Sequence, residues 1–471
     1  MNWLELAEQK RTEIIKELQK LIQIPSVLDE KAATEEMPFG PKPLDALNHM
    51  LREGKSEGLV IKNIDNMAGH IEMGEGEETL GILCHVDVVP VGEGWTYPPF
   101  EGVVVDDKVY GRGAIDDKGP TIAAWMAMKL VKESGIPLHK KVRLIIGTDE
   151  ESGFRCVKRY FEKEPMPEIG FAPDADFPII NAEKGIANLI FTQTGSTETE
   201  TIQFFQAGKR TNMVPDEAFA LIFGGLHSIK QKFIEFSAEL DFNGEVTQEG
   251  PMVKVFVRGK SAHAMEPDEG INAAILLAKF LQTVPLTPHS KAFVDFLVLG
   301  FGEESRGHAL SLNFTDEVSG DTTLNPGVIH YAPAQGSCTQ VSMRYSVSYP
   351  FEEKLSACRE TLQDVGITLD LGSNSKPHYV DKEDILIKTL QKVYERQTGE
   401  EAKLLSIGGG TYARVLKNGV AFGMLFPGRK DLAHQLDEYV DIDDLVKATA
   451  IYADAIVELA GKNTTEVKTN G

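Results

Sequence analysis

Apolar runs and helical repeats alternate along the first 185 residues. Helical repeats, with apolar side chains every three or four positions, lie at residues 3–22 and 121–131. Four largely apolar runs predict strands, at residues 59–71, 80–86, 141–147 and 170–173. Strands that alternate with helices are typical of the α/β class. We therefore predict a central mixed β-sheet flanked by helices.

The pattern changes after about residue 185. Alternating apolar and polar positions, as at residues 253–257, predict half-buried strands interleaved with helices. The helical pattern returns from residue 381, and a chain of 471 residues is long for one hydrophobic core. We predict that residues 1–185 and 381–471 form one α/β domain, interrupted by an inserted α+β domain at residues 186–380.

Composition and charge narrow the classes of function. With 48 basic and 71 acidic side chains the formal net charge is −23, a field that repels nucleic acid and anionic lipid. No apolar run approaches the roughly 20 residues of a transmembrane helix, and the first 24 residues are too charged for a signal peptide. The four cysteines form no paired motif, which favours a reducing compartment. We expect a cytoplasmic protein without nucleic-acid or membrane partners.

Polar side chains follow the predicted strands at their carboxyl ends. His85 and Asp87 end one strand on the same face, Glu150 and Glu151 follow another, and Asp174 follows a third. Ligands of α/β sheets collect at this edge. An imidazole beside a carboxylate suits a metal ligand with the group that orients it, and one of two adjacent carboxylates could act as a general base. Each pair alone is more often a solvated turn or a packed polar contact.

Two further segments could complete a metal site. Asp116 lies in a glycine-rich turn, Gly-Arg-Gly-Ala-Ile-Asp-Asp-Lys-Gly, directly before a predicted helix. His434 lies where the first domain resumes. Taken singly, a glycine-rich turn and a surface histidine are both ordinary. Together with the strand ends, they could converge on a cation.

These motifs resemble a known superfamily. The matching segments are His85-x-Asp87-x-Val-Pro, Gly111-Arg-Gly-x-x-Asp116-Asp-Lys-Gly, Thr148-Asp-Glu150-Glu151, Pro173-Asp174-Ala and the late His434. They are similar to those of the co-catalytic metallopeptidases, which include aminoacylases, desuccinylases and carnosinases. Residues 406–412, 377–380 and 92–95 resemble the PepV-type bacterial dipeptidases in particular.

The resemblance implies a site for two Zn²⁺ ions, with Mn²⁺ or Co²⁺ also compatible with ligands that include no cysteine. The implied ligands are His85 and Asp174 on one ion, Glu151 and His434 on the other, and Asp116 bridging both. Glu150 would be the general base acting on a metal-activated water, and Asp87 would orient His85. The resemblance also implies a cis peptide bond between Asp116 and Asp117.

The resemblance makes the inserted domain a lid that contributes to substrate binding. There His263 would polarise the scissile carbonyl, Asn212 would position the substrate, and Arg344 would bind its terminal carboxylate. Gly409 and Gly410 could offer backbone N–H groups to that carboxylate. Related sequences continue Arg-Tyr-Pro, whereas this chain has serine after Arg344-Tyr345. A surface charge on a strand and an ordinary glycine turn are the competing interpretations.

The resulting hypothesis is a monomeric, metal-dependent dipeptidase acting on unblocked dipeptides. Whether Xaa-His or β-alanyl dipeptides such as carnosine are included is left open. An N-acyl amino-acid deacylase or desuccinylase of the same superfamily would share the metal ligands and is the first alternative. A non-catalytic metal-binding protein is the second, although the presence of every implied ligand and of Glu150 argues against it.

Overall fold

The computed structural model describes residues 1–461, apart from the side chain of residue 364. It divides into two compact units. Unit 1 comprises residues 1–181, 379–405 and those from 410 onward, and unit 2 comprises residues 182–378 and 406–409. The catalytic and lid roles for residues 1–185, 186–380 and 381–471 stay predictions, and residues 462–471 lie outside the described part.

Residues 1–461 contain eleven α-helices and four short 3-10 helices. The α-helices are α1 (Trp3–Gln9), α2 (Arg11–Ile22), α3 (Pro41–Ser56), α4 (Lys118–Ser134), α5 (Arg155–Lys163), α6 (Leu226–Leu240), α7 (Ala273–Leu281), α8 (Pro288–Phe301), α9 (Phe351–Leu362), α10 (Ile385–Thr398) and α11 (Ile442–Ala460). The single helix predicted over residues 3–22 is wrong, because the chain breaks at Lys10, whose N–H closes a tighter turn onto the Ala7 carbonyl at 3.0 Å.

The strands of the same part of the chain number twenty-four. They are β1 (Val60–Ile64), β2 (Ala68–Met73), β3 (Thr79–His85), β4 (Val103–Val105), β5 (Lys108–Tyr110), β6 (Lys141–Gly147), β7 (Ile169–Ala172), β8 (Ala175–Asp176), β9 (Ile179–Glu183), β10 (Gly185–Gln193), β11 (Ile202–Ala207), β12 (Glu217–Ile222), β13 (Asn243–Glu249), β14 (Met252–Arg258), β15 (Thr315–Asp316), β16 (Gly320–Asp321), β17 (Thr323–Ala332), β18 (Gly336–Tyr345), β19 (Ile367–Ser375), β20 (His378–Tyr379), β21 (Leu404–Ile407), β22 (Gly419–Ala421), β23 (Met424–Leu425) and β24 (Tyr439–Asp441).

The strand predicted over residues 59–71 is in fact a hairpin. Asp65 and Asn66 both adopt positive φ angles, 51° and 57°, and turn the chain so that Ile64 pairs with Ala68 in an antiparallel register. Aspartate and asparagine tolerate this left-handed backbone better than most residues. The turn therefore splits the predicted strand into β1 and β2.

The main sheet of unit 1 has nine strands in the order β1-β2-β6-β3-β7-β22-β9-β20, with β21 paired to β9. Strands β6, β3, β7 and β22 run parallel, whereas β1, β2 and β9 add antiparallel pairings. Helices α4 and α11 pack together and against β3, and all seven residues of β3 are buried. The predicted α/β class with a mixed sheet is confirmed.

Unit 2 is built on an eight-stranded antiparallel sheet in the order β13-β14-β12-β11-β17-β18-β10-β19. Strand β10 alternates buried and half-buried positions, as expected when one sheet face covers a core. Helices α7 and α8 pack together, and α7 also packs on β12 and β14. This α+β unit interrupts unit 1 in sequence, as predicted. Within residues 1–461, no helix is long and apolar enough to cross a membrane.

Candidate metal centre

Three parallel strands deliver polar residues to one edge of the unit 1 sheet. His85 is the last residue of β3 and pairs in register with Gly147, the last residue of β6. Glu150 and Glu151 follow β6, and Asp174 follows β7 on the other side of β3. Because the carboxyl ends of parallel strands meet at the same edge, these side chains converge.

The converging side chains form two ligand groups joined by Asp116. In the first, His85 Nε2 lies 3.1 Å from Asp116 Oδ1 and 3.6 Å from Asp174 Oδ2. In the second, His434 Nε2 lies 3.0 Å from both Asp116 Oδ2 and Glu151 Oε2. The ligand atoms of each group all lie within 4.8 Å of one another. Asp116 thus offers one carboxylate oxygen to each group, and the structure brings all five implied ligands together.

The side chain of His85 is oriented as a metal ligand would be. Its Nδ1 lies 3.0 Å from the Asp87 carbonyl oxygen, which can only accept, so Nδ1 carries the hydrogen. Its Nε2 is buried and makes no hydrogen bond within residues 1–461, although carboxylate oxygens face it. A cation between Nε2 and these oxygens satisfies both. Two imidazoles and three carboxylates, with no thiolate, suit Zn²⁺, Mn²⁺ or Co²⁺.

The carboxylate of Asp87 holds the loop after β6. It accepts hydrogen bonds from the backbone N–H of Glu150 at 3.2 Å and of Glu151 at 3.1 Å. Its distance to His85 Nδ1 is longer, 3.5 Å, so Asp87 contacts His85 mainly through its carbonyl. Since Asp87 is buried, one residue orients an imidazole and positions two neighbouring carboxylates.

Burial and mutual charge shift the pKa values of the cluster. Burial raises the pKa of Glu150 well above its usual value, and it raises the pKa of Glu151 to about 7. Hydrogen bonds to Asp116 and Glu151 raise the pKa of His434 to about 10. Burial alone would raise the pKa of Asp116, but contacts with His434 and His85 hold it well below its usual value. The cluster therefore favours positive charge between its carboxylates.

The loop that carries Asp116 is clamped by Glu438, a residue that the sequence analysis did not single out. Glu438 is fully buried, and its Oε1 accepts from the backbone N–H of Ile115 at 2.9 Å and of Asp116 at 3.3 Å. Its Oε2 accepts from Arg112 Nη1 at 2.7 Å, and Arg112 Nη2 donates to the His434 carbonyl at 3.4 Å. The clamp thus connects the segments of both Asp116 and His434.

Asp117 ties the same loop to β3. Its Oδ2 accepts from the backbone N–H of His85 at 2.9 Å and from Thr121 Oγ1 at 3.3 Å. The Asp117 side chain is fully buried, and burial raises its pKa well above the usual value. The peptide bond between Asp116 and Asp117 is cis, which confirms that prediction.

Two predicted substrate-binding residues lie on neighbouring segments of unit 2. The Asn212 carbonyl accepts from the Ala264 N–H at 2.9 Å, and Met213 forms an isolated bridge with His263. Both Asn212 and His263 are exposed. Burial of its ring and the charge of Arg344 lower the pKa of His263. The imidazole is therefore neutral at neutral pH and can donate through one nitrogen.

Arg344 also contacts Gly408, the first residue of a run of three glycines at 408–410. Arg344 lies on β18, is only 5% exposed, and donates through Nη1 to the Gly408 carbonyl at 3.0 Å. Gly409 belongs to the same segment of unit 2, whereas Gly410 belongs to unit 1. Arg344 is thus a buried strand residue rather than a surface charge.

Comparison with known families identifies the chain. The model of peptidase family M20/M25/M40 matches residues 81–458. The chain belongs to this peptidase family. The match spans all five implied ligands and confirms the predicted metallopeptidase resemblance at the level of the family.

Two relatives match nearly the whole chain. The chain is 48% identical over 467 residues to "Putative dipeptidase YtjP" of Bacillus subtilis (strain 168), covering 98% of this chain and 100% of that protein. It is 41% identical over 464 residues to a similarly named protein of Staphylococcus epidermidis, covering 97% and 99% of the two chains.

Solved structures share the fold at low sequence identity. Human carnosine dipeptidase 1 has a TM-score of 0.58 at 13% identity, covering 97% of this chain and 98% of that one. The dipeptidase Dug1p of Saccharomyces cerevisiae has a TM-score of 0.55 at 15% identity, with the same coverage. At such identities the likeness supports the fold of this M20/M25/M40 peptidase and not its substrate.

Proposed function

We propose that this peptidase is a metal-dependent dipeptidase of the PepV type, acting on unblocked dipeptides. The observation that carries the proposal is the pair of ligand groups joined by Asp116, with the half-buried Glu150 beside them. Full-length relatives named as dipeptidases support this substrate class over longer peptides. Dipeptides ending in histidine or beginning with β-alanine are within the proposed class.

Two divalent cations, Zn²⁺ in the first place, would be held by the five ligands of the cluster. His85 and Asp174 would hold one ion, Glu151 and His434 the other, and Asp116 both. When bound, such ions lower the pKa of water and polarise a carbonyl oxygen. Asp87 keeps His85 in the tautomer that leaves Nε2 available as a ligand.

Glu150 is the proposed proton carrier. Burial raises its pKa, so its carboxylate is a stronger base than an exposed glutamate. It takes a proton from the attacking water and gives a proton to the amine that leaves when the peptide bond breaks. Asp87 fixes the backbone of Glu150 and thereby the position of this carboxylate.

A second set of residues would recognise the substrate. The planar guanidinium of Arg344 suits the terminal carboxylate of a dipeptide, and the N–H groups of Gly409 and Gly410 could add to it. His263 would donate a hydrogen bond to the oxygen that becomes negatively charged, and Asn212 would position the same carbonyl. The four cysteines are all unpaired, which supports an enzyme acting in the reducing cytoplasm. The resemblance to PepV-type enzymes is the reason for proposing a monomer.

The decisive experiment compares a free dipeptide with its N-acetylated analogue, using one preparation before chelation, after chelation, and after Zn²⁺ or Mn²⁺ is restored. We expect metal-dependent cleavage of the free dipeptide only. Cleavage of the acetylated compound only would assign the protein to the N-acyl amino-acid deacylases, and cleavage of neither with any metal would reject a hydrolase of either kind.

A further inference from the structure

A second group of metal-binding residue types lies on helices α2 and α3, and it shares no residue with the cluster around Asp116. Glu17 projects from α2, and His49 and Glu53 project from α3. The last two are four residues apart, which places them one turn apart on the same face of the helix. One ligand atom from each of the three side chains lies within 4.8 Å of the others.

Two atoms of this group are buried without a partner. Glu17 is 8% exposed, and its Oε1 accepts from Lys20 Nζ at 2.7 Å. Its Oε2 and the Nε2 of His49 are both buried and make no hydrogen bond to the residues that the structure describes. Buried polar atoms in folded proteins are nearly always paired, so these two atoms indicate a ligand.

The spacing of the group leaves room for a cation between the three side chains. Hydrogen-bonded partners would lie about 2.8 Å apart, and His49 Nε2 makes no such bond. Donor atoms around one tetrahedral Zn²⁺ lie roughly 3.4 Å apart, because each bond is about 2.1 Å. Small rotations of the half-buried His49 and Glu53 side chains would bring the three atoms to that separation.

The charges around His49 nearly balance. The carboxylates of Glu17 and Glu53 are opposed by Lys20 and Arg52, so a divalent cation would be held by direct bonds to the ligand atoms rather than by a net negative charge. Burial lowers the pKa of His49, although the charges of Glu53 and Glu17 oppose this. At neutral pH its imidazole is thus mostly in the uncharged form that binds metals.

We propose that Glu17, His49 and Glu53 form a separate site for one divalent cation of the Zn²⁺ class, linking α2 to α3. We assign the cation a structural role, because its three ligands join two helices. A cation that binds the folded chain and not the unfolded chain stabilises the folded state. This site goes beyond the proposed dipeptidase activity and does not depend on it.

The test counts metal ions in full-length protein without an affinity tag. Chelated wild type, His49→Gln and Glu53→Gln are dialysed to equilibrium against micromolar Zn²⁺, and bound zinc is measured by mass spectrometry. We expect each variant to bind one ion fewer than wild type. His139→Gln, which replaces an exposed histidine outside both clusters, should bind as many ions as wild type.

The readout is the difference in bound zinc between the wild type and each variant. This difference does not depend on how many ions the Asp116 cluster holds. A second measurement uses an Asp116→Asn background, in which Zn²⁺ should still raise the melting temperature and should cease to do so when His49→Gln is added. Equal zinc content and equal thermal response in wild type and both variants of the group would overturn the proposal.

Discussion

The proposed metal ligands in unit 1 and the proposed substrate groups in unit 2 are held in different ways. The ligand His85 is buried and its backbone N–H donates to Asp117 Oδ2, and the buried Asp87 beside it accepts from the Glu151 N–H. His434 is the exposed ligand of unit 1, and in unit 2 Asn212 and His263 are exposed on irregular segments. Buried, hydrogen-bonded side chains keep one geometry, while exposed ones adapt at low cost. The comparison teaches that unit 1 presents a site that is preformed around His85, whereas Asn212 and His263 of unit 2 are free to adapt.

Arg344 is the exception in unit 2. It is buried on a strand and donates to the Gly408 carbonyl, so burial and a hydrogen bond hold the group that is proposed to bind the carboxylate. Within unit 2, recognition of the carboxylate would therefore be preformed and recognition of the carbonyl adaptable.

The largest expected effect is that of Glu150→Gln, which removes the proposed proton carrier and leaves the ligands intact. The value of kcat should fall by roughly 10²–10⁴-fold, while zinc content stays at the wild-type level. Glu75→Gln, at an exposed position, is the matched control. A variant with wild-type kcat would show that the buried cluster does not do the chemistry.

Arg344→Lys should reduce catalytic efficiency less than Glu150→Gln does. An ammonium group cannot form the paired hydrogen bonds of a guanidinium, so KM for a dipeptide should rise by roughly 10–100-fold, as expected for a lost charged hydrogen bond. The dipeptide amide, which lacks the carboxylate, should show the same KM with variant and wild type. Arg258→Lys, an exposed change in the same unit, is the control, and an equal rise for both substrates would contradict the assignment.

Glu438→Gln tests how the metal loop is held. The amide replaces one acceptor oxygen with a donor that faces backbone N–H groups and Arg112, so the position of Asp116 should change. We expect affinity for zinc to fall about tenfold, at the low end for residues that orient ligands. Competition with a chelator measures this affinity, and an unchanged value would mean that the ligands position one another without the clamp.

Replacing His70 in unit 1 should have the smallest effect on activity. It should have a clear effect on how stability depends on pH. Its Nδ1 contacts Tyr160 Oη at 2.7 Å, and burial lowers its pKa to about 4. Because the pKa is lower in the folded than in the unfolded chain, this contribution to stability is complete above about pH 6.5. It is lost progressively as pH falls from there through 4.

Urea unfolding at pH 7 and pH 5 measures the contribution of His70. Between pH 7 and pH 5, protonation of His70 should lower the free energy of unfolding of the wild type by on the order of 1–2 kcal/mol. The free energy of unfolding of His70→Gln should fall by that much less. His227→Gln, at an exposed position in unit 2, should behave as wild type. A pH dependence that is the same in all three proteins would show that burial of His70 does not couple to protonation.

Local sequence pattern determined much of this molecule. The strand predicted over residues 141–147 is β6, and the helix predicted over 385–397 is α10 with one more residue. Strand ends predicted the positions of His85, Glu151 and Asp174, because periodicity depends on neighbours in sequence. The full set of side chains that meet around Asp116, His434 included, was implied by the resemblance of motifs to a known superfamily. The break at Lys10 and the hairpin at Asp65 were missed, since both depend on the backbone angles of single turns.

Tertiary structure alone decided what holds those side chains in place. Glu438 accepts from backbone groups more than 320 residues earlier in the chain, and no local pattern marks it as their partner. The same is true of Glu17, which meets His49 and Glu53 only when α2 and α3 have formed. The sequence by itself determined which chemical groups the strand ends carry. Folding decided which of them are buried together, because burial and charge coupling arise from contacts between distant segments.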